Sequence, residues 1–231
     1  MVPARDVDCG DIYERARLEL VELLRSASDE ELTLVVPATP AWSVHDVFAH
    51  VVGITADLNA GNFGTDGDAW TTEQVRLRAS DTIDDLAAEW DREAPTFEHG
   101  LRLFVYAIGS HYVGDLLQHS GDIRHALGRA RLADDDTLAV ALDFYLDSFE
   151  QALNTAGIGA VEIAVGPERW MLGAGPVVAS VEAARYELFR CLGGRRSVGQ
   201  IRAMPWHGDL DAILPVVSRY PLPPEPITEA S

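Results

Sequence analysis

Cysteine is nearly absent from this chain: Cys9 and Cys191 are the only two in 231 residues, far apart and in no CxxC spacing. That usage argues against a disulfide scaffold and fits a reducing compartment. Long apolar runs are missing as well, since none approaches the roughly 18–20 residues of a membrane span. The opening Met1-Val-Pro-Ala-Arg-Asp-Val-Asp has no apolar segment of the secretory kind, so no signal peptide is expected and the protein reads as cytoplasmic. Positive charge is scarce too. Lys and Arg total 18 against 37 Asp and Glu, a formal net charge of −19 with a pI near 4.5. This balance argues against nucleic-acid backbones and anionic membranes as partners, and in itself accounts for nothing more than solubility.

What is present is an ordinary globular composition, 47% hydrophobic and 24% charged, long enough for one large domain or two modest ones. Residues from Asp11 to Ser26 read as an amphipathic helix, with Ile12, Ala16, Leu20, Leu23 and Leu24 at three- and four-residue spacing. Ser28 to Pro40 reads as a polar connection. Ser43 then caps a second helix, with Asp46 as its acidic capping partner and Val44, Val47, Phe48 and Val51 behind it. Gly61 to Asp68 reads as a turn-rich loop and Thr71 to Ala79 as a short helix. A helix introduced by Ser80-Asp-Thr-Ile-Asp-Asp carries Leu86, Ala87 and Trp90 and is expected to end near Pro95. Another spans Ser110 to Leu127, stopped by Gly128. The next begins at Asp134 and runs to about Thr155.

After Gly157 the period changes from helical to alternating. Val161 to Val165 reads as a strand, Gly166-Pro167 as a turn, and Glu168 to Leu172 as the returning strand of a hairpin. A helix capped by Ser180 is expected to reach Leu192, followed by a shorter helical piece from Ser197 to Arg202 and a proline-rich tail from Pro215. The expected architecture is mostly α: a four-helix bundle over residues 1–155, then a small α/β domain over residues 156–231 with an extended tail.

Chemistry concentrates in His111-Tyr-Val-Gly-Asp115-Leu-Leu-Gln-His119-Ser-Gly-Asp122-Ile-Arg-His125. Four-residue spacing puts Asp115 and His119 one turn apart on one helix face. An imidazole and a carboxylate so placed can share a metal ion, or they can simply form part of a solvated polar stripe with His111 and Asp122. His50 tips the balance, because it stands in Val47-Phe-Ala-His-Val-Val-Gly53, an apolar stretch where an imidazole needs a partner. Two facing bundle helices could bring His50 opposite Asp115 and His119. Two neutral imidazoles and a carboxylate suit zinc, as well as nickel, iron or cobalt, with a position left open. Asp122 could orient a ligand or contact substrate, or pair at the surface with Arg124 or Arg129. His45, His99, His111 and His125 read as surface, capping or bystander residues.

The order Thr39-Pro-Ala-Trp42-Ser43-Val-His-Asp-Val-Phe-Ala-His50, then Asp115-x3-His119-x2-Asp122-x3-Ala126-Leu127-Gly128, resembles the mycothiol-dependent maleylpyruvate isomerase family, within the DinB-like superfamily of metal-binding four-helix bundles. Leu192-Gly-Gly-Arg195-Arg196-Ser197 and Trp206-His207-Gly208-Asp209 resemble that family's small C-terminal domain. The resemblance implies a divalent metal, usually zinc, held by His50, Asp115 and His119. It also implies mycothiol as a thiol cofactor, a small electrophilic substrate, and an arginine from the C-terminal domain in the active-site cleft, with Arg195, Arg196 and Arg202 as candidates. The family usually has Glu where this chain has Asp115, one methylene shorter. The activity implied is that of an isomerase or S-transferase acting through a metal-bound thiolate. A non-catalytic binding or regulatory module and a metal-dependent hydrolase are the alternatives.

Overall fold

A computed structural model describes residues 2–64 and 67–229. The described residues divide into two units, one of residues 6–64 and 67–131 with Glu229, the other of residues 2–5 and 132–228.

In the first unit, α1 (Cys9–Arg25) is followed by a short α2 (Asp29–Leu32), α3 (Val44–Asn59), α4 (Gly67–Leu77), α5 (Ile83–Leu103) and α6 (Tyr106–Ala126). The long helices α1, α3, α5 and α6 form the four-helix bundle. Helices α1 and α3 each pack against both α5 and α6. Its interior is filled by Leu20, Leu24, Phe48, Leu86, Trp90, Leu116 and Ile123, all fully buried. The Trp90 indole donates to Thr55 Oγ1 at 3.0 Å, so the largest core ring keeps its hydrogen bond. Arg17 is buried too, held by Glu98 at 2.9 Å and Asp91 at 2.6 Å.

The helix starts follow local chemistry. Ser43 and Asp46 make the expected reciprocal capping box at α3. Identical boxes at Ser28–Glu31 and Thr82–Asp85 open α2 and α5. The first of these folds part of the expected Ser28–Pro40 connection into a helical turn. Helix α5 does not end near Pro95 but runs eight residues beyond it, to Leu103. Pro95 lies exposed, where water can answer the carbonyl it leaves unpaired, while Ala94, Phe97 and Leu101 continue the buried stripe past it. Gly128, just beyond α6, has φ +62°, the left-handed conformation expected of a helix-ending glycine. Of the expected loop Gly61 to Asp68, Thr65 and Asp66 lie outside the described residues, and Gly67 and Asp68 already belong to α4.

The second unit holds α7 (Asp136–Ala156), β1 (Ala160–Val165), β2 (Glu168–Leu172), β3 (Val177–Glu182), α8 (Arg185–Leu192), α9 (Val198–Ala203), β4 (Trp206–Gly208) and α10 (Leu210–Ile213). Its sheet has the order β2-β1-β3-β4, with β1 antiparallel to β2, parallel to β3, and β3 antiparallel to β4. The expected hairpin is present. The expected helix from Ser180 is shorter: residues 177–182 are a strand and the helix begins at Arg185. Val181 and Ala179 are buried there while their neighbours are not, the alternation of a strand with one covered face. Helix α7, expected to close the bundle, packs instead on α8 and β2, so the division falls at residues 131–132 rather than near 155. Among the described residues no helix is long and apolar enough to cross a membrane.

Candidate functional site

The polar stripe of α6 turns inward. His119 is 8% exposed and Asp122 is completely buried, while the Asp115 side chain keeps 25% of its surface. His119 lies between the two carboxylates: its Nε2 is 3.8 Å from Asp115 Oδ1 and its Nδ1 is 3.8 Å from Asp122 Oδ2. Helix α3 delivers His50 to the same place. The two imidazole rings stand nearly perpendicular, interplanar angle 85°, with centroids 5.0 Å apart. The Trp42 ring also packs on His50, again with 5.0 Å between centroids. Thus His50 from α3 and the Asp115–His119 pair from α6 come together at one locus in the bundle.

His50 is 5% exposed, and burial pushes its pKa down to about 4, against the opposing effect of its hydrogen bond to Gln74. The ring is therefore neutral near pH 7, the form that can donate a lone pair to a metal ion. Its Nδ1 lies 2.7 Å from Gln74 Oε1, and Gln74 Nε2 donates to Asp57 Oδ2 at 2.8 Å. Gln74 was not expected from the sequence. In Thr71-Thr-Glu-Gln-Val-Arg it has the look of a surface residue, and no spacing ties it to His50.

Two neutral imidazoles with a carboxylate are a chemically apt donor set for a zinc-like ion. Donors around a tetrahedral ion at roughly 2.0–2.2 Å are separated by about 3.3–3.6 Å. The 3.8 Å from Asp115 to His119 is slightly wider. Among the described residues no group of three His, Cys, Asp or Glu side chains stands ready-made around one point. Asp122 is fully buried rather than at the surface, Arg129 binds Glu31 at 2.8 Å, and Arg124 Nη1 lies 3.5 Å from the Ala130 carbonyl. Full burial beside His119 suits Asp122 to orienting that ring rather than meeting substrate.

The candidate arginines belong to the second unit. Arg196 is buried and grips Glu187 through two nitrogens at 2.8 and 3.1 Å. Arg195, also buried, donates to the Gly193 carbonyl at 2.8 Å and lies over the Tyr220 ring. Arg202 is the exposed one, paired with Asp211. Of the other histidines, His45 Nε2 lies 2.7 Å from the Asp81 carbonyl and His111 stacks on Tyr112.

Residues 13–104 match the family described as the mycothiol maleylpyruvate isomerase N-terminal domain. That stretch belongs to this family. The family domain contains α3 and α4, hence His50 and Gln74, while Asp115, His119 and Asp122 follow it on α6. The crystal structure of the mycothiol-dependent maleylpyruvate isomerase superposes with a TM-score of 0.54 at 16% identity, covering 84% of this chain and 92% of that one. A histidine-to-alanine mutant of that isomerase gives a TM-score of 0.50 at 14% identity, with the same coverage. At such identities the likeness speaks for the fold. No curated protein matches the sequence.

Proposed function

We propose that the chain is a metal- and mycothiol-dependent isomerase or S-transferase acting on a small electrophile. The observation that carries this reading is the meeting of His50 and His119, from different helices, beside Asp115. Burying two imidazoles with the Asp122 carboxylate is unfavourable unless they serve as ligands or as each other's partners. The family domain and the shared fold point to the same chemistry.

On this reading His50, Asp115 and His119 hold a divalent metal, with zinc the choice that the donor set favours. When bound, such an ion lowers the pKa of a coordinated thiol and yields a thiolate nucleophile for addition to an electrophilic double bond. The chain's own residues prepare the site. Burial keeps His50 neutral, Trp42 covers one side of its ring, and Asp122 faces Nδ1 of His119. Asp115, the most exposed of the set, forms the side open to thiol and substrate. Arg195 and Arg196 remain the residues proposed for the anionic or polar groups of the cofactor. Their hydrogen bonds within the second unit would have to be shared with it.

Metal analysis of the purified protein, alongside His119→Ala, tests the ligand set: the expected result is near-stoichiometric metal in the wild type and little in the variant. Equal metal in both would reject it. Thermal melts with millimolar mycothiol test the cofactor, because a ligand of the native state alone raises the midpoint. Ester or amide turnover without any thiol would favour a hydrolase instead.

A further inference from the structure

Helix α4 has one buried residue in its eleven, and that residue is Gln74, 1% exposed. A docked helix normally buries Leu, Ile or Val. Inserting a carboxamide instead gains little from the hydrophobic effect and calls for satisfied hydrogen bonds. The site of insertion is shaped for it. Gly53 of α3 faces Gln74, and a Cβ at Gly53 would come within 2.7 Å of Gln74 Cβ and 2.8 Å of its Cγ. Just beyond the helix, buried Arg78 donates to the Gln74 carbonyl at 3.2 Å and to Glu89 of α5 at 2.9 Å, anchoring this end of α4.

The orientation of the carboxamide follows from donor and acceptor rules. A carboxylate only accepts, so the Gln74 atom 2.8 Å from Asp57 Oδ2 is the amide nitrogen. The other end is then the oxygen, itself only an acceptor, 2.7 Å from His50 Nδ1. Nδ1 therefore carries the ring proton, and the lone pair of neutral His50 sits on Nε2.

We infer that Gln74, itself held by Asp57, is a positioning residue that fixes His50 in its Nδ1–H tautomer and so makes Nε2 the metal-binding atom. This rests on the reading of His50 as a ligand. His119 also turns Nδ1 toward buried Asp122 and Nε2 toward Asp115, each at 3.8 Å, wider than the hydrogen bond that holds His50. Acceptors behind ligating histidines orient the ring and raise its basicity, and losing one typically weakens metal binding about 10–100-fold.

The test uses ¹⁵N-labelled, metal-free full chain, with long-range ¹H–¹⁵N correlation spectra to report the His50 tautomer directly, and Zn²⁺ titration as the second readout. The wild type should show Nδ1–H. Gln74→Leu should shift His50 toward Nε2–H or a mixture and weaken Zn²⁺ roughly 10–100-fold. The double variant Gln74→Glu with Asp57→Asn reverses the donor at the far end yet still presents an oxygen to Nδ1, so it should restore both the tautomer and the affinity. An Nε2–H wild type, or an unaltered tautomer in Gln74→Leu, overturns the inference. Should Gln74→Leu fail to fold, the double variant decides: retained Nδ1–H supports the relay and its loss overturns it. A wild type with a Gln74-dependent Nδ1–H signal but no Zn²⁺ binding supports the positioning and removes the metal-enzyme reading, so the two fail separately.

Discussion

Replacing Gly53 by alanine isolates the contact on which the α4 arrangement depends. In an open helix interior, Gly→Ala stabilises by about 0.5–1 kcal/mol through backbone entropy. At Gly53 the added methyl meets Gln74 Cβ at 2.7 Å, Cγ at 2.8 Å and an Arg78 guanidinium nitrogen at 2.9 Å, all inside normal contact. Gln74 Cβ is one bond from the backbone and cannot swing aside, so α4 itself must move. Overpacking of this kind typically costs about 1–3 kcal/mol. Gly100, within α5, is an internal control: a Cβ there meets only Phe104 at 3.5 Å, an ordinary contact. Subtracting the two cancels the shared helix-propensity gain. Gly53→Ala should thus be less stable than Gly100→Ala by about 1–3 kcal/mol, or roughly 2–4 °C in Tm per kcal/mol for a chain of this size. Urea titration followed by circular dichroism, with thermal melts alongside, measures the difference. Equal stabilisation by both alanines would refute the close packing of α4 on α3, and with it the route from Gln74 to His50.

Asp122→Asn should weaken metal binding about 10–100-fold while leaving the melting curve of the metal-free protein nearly unchanged, read by competitive Zn²⁺ titration. Arg17→Met strands Glu98, whose carboxyl burial already holds above its ordinary pKa, and should destabilise by about 3–5 kcal/mol in urea titrations at pH 7. That loss shrinks as pH falls, because Glu98 then takes up a proton, and adding Glu98→Gln should recover most of it at pH 7. Both cysteines are buried and the Cys191 thiol is pushed up to about 12, so a native protein at pH 8 should react with a disulfide reagent no faster than it unfolds. At a mycothiol concentration 100-fold above Kd, the wild type should gain about 2.7 kcal/mol of apparent stability, and metal-free protein much less.

The histidine and carboxylate positions were legible because helical periodicity turns spacing into direction. Asp115 and His119 at i and i+4 must share a face, and His50 in an apolar run must point inward. The bundle helices were legible for the same reason, with capping boxes marking their starts. Gln74 was not, since its role comes from a helix docked across α3 and nothing local distinguishes it from a surface glutamine. Pro95 misled because local backbone chemistry predicts an end where tertiary burial of Phe97 and Leu101 carries the helix onward. Residues 177–182 were hidden by Ser180, which has the chemistry of a helix cap but sits in a strand beside β1. Helix α7 has an apolar stripe that says it must be covered without saying by what, and α8 and β2 cover it.

The meagre burial of α4 separates two properties that most enzymes tie together. Segments with few buried apolar contacts open at low free energy, well before the fold as a whole. When α4 lifts away, His50 loses its hydrogen-bond acceptor, so hydration of Nδ1 and disorder of the ring proton arrive as one event. Hydrogen exchange in residues 67–78 would then serve as a clock for how often the site is assembled. Substitutions on the exposed face of that helix would retune the clock while leaving the bundle core untouched.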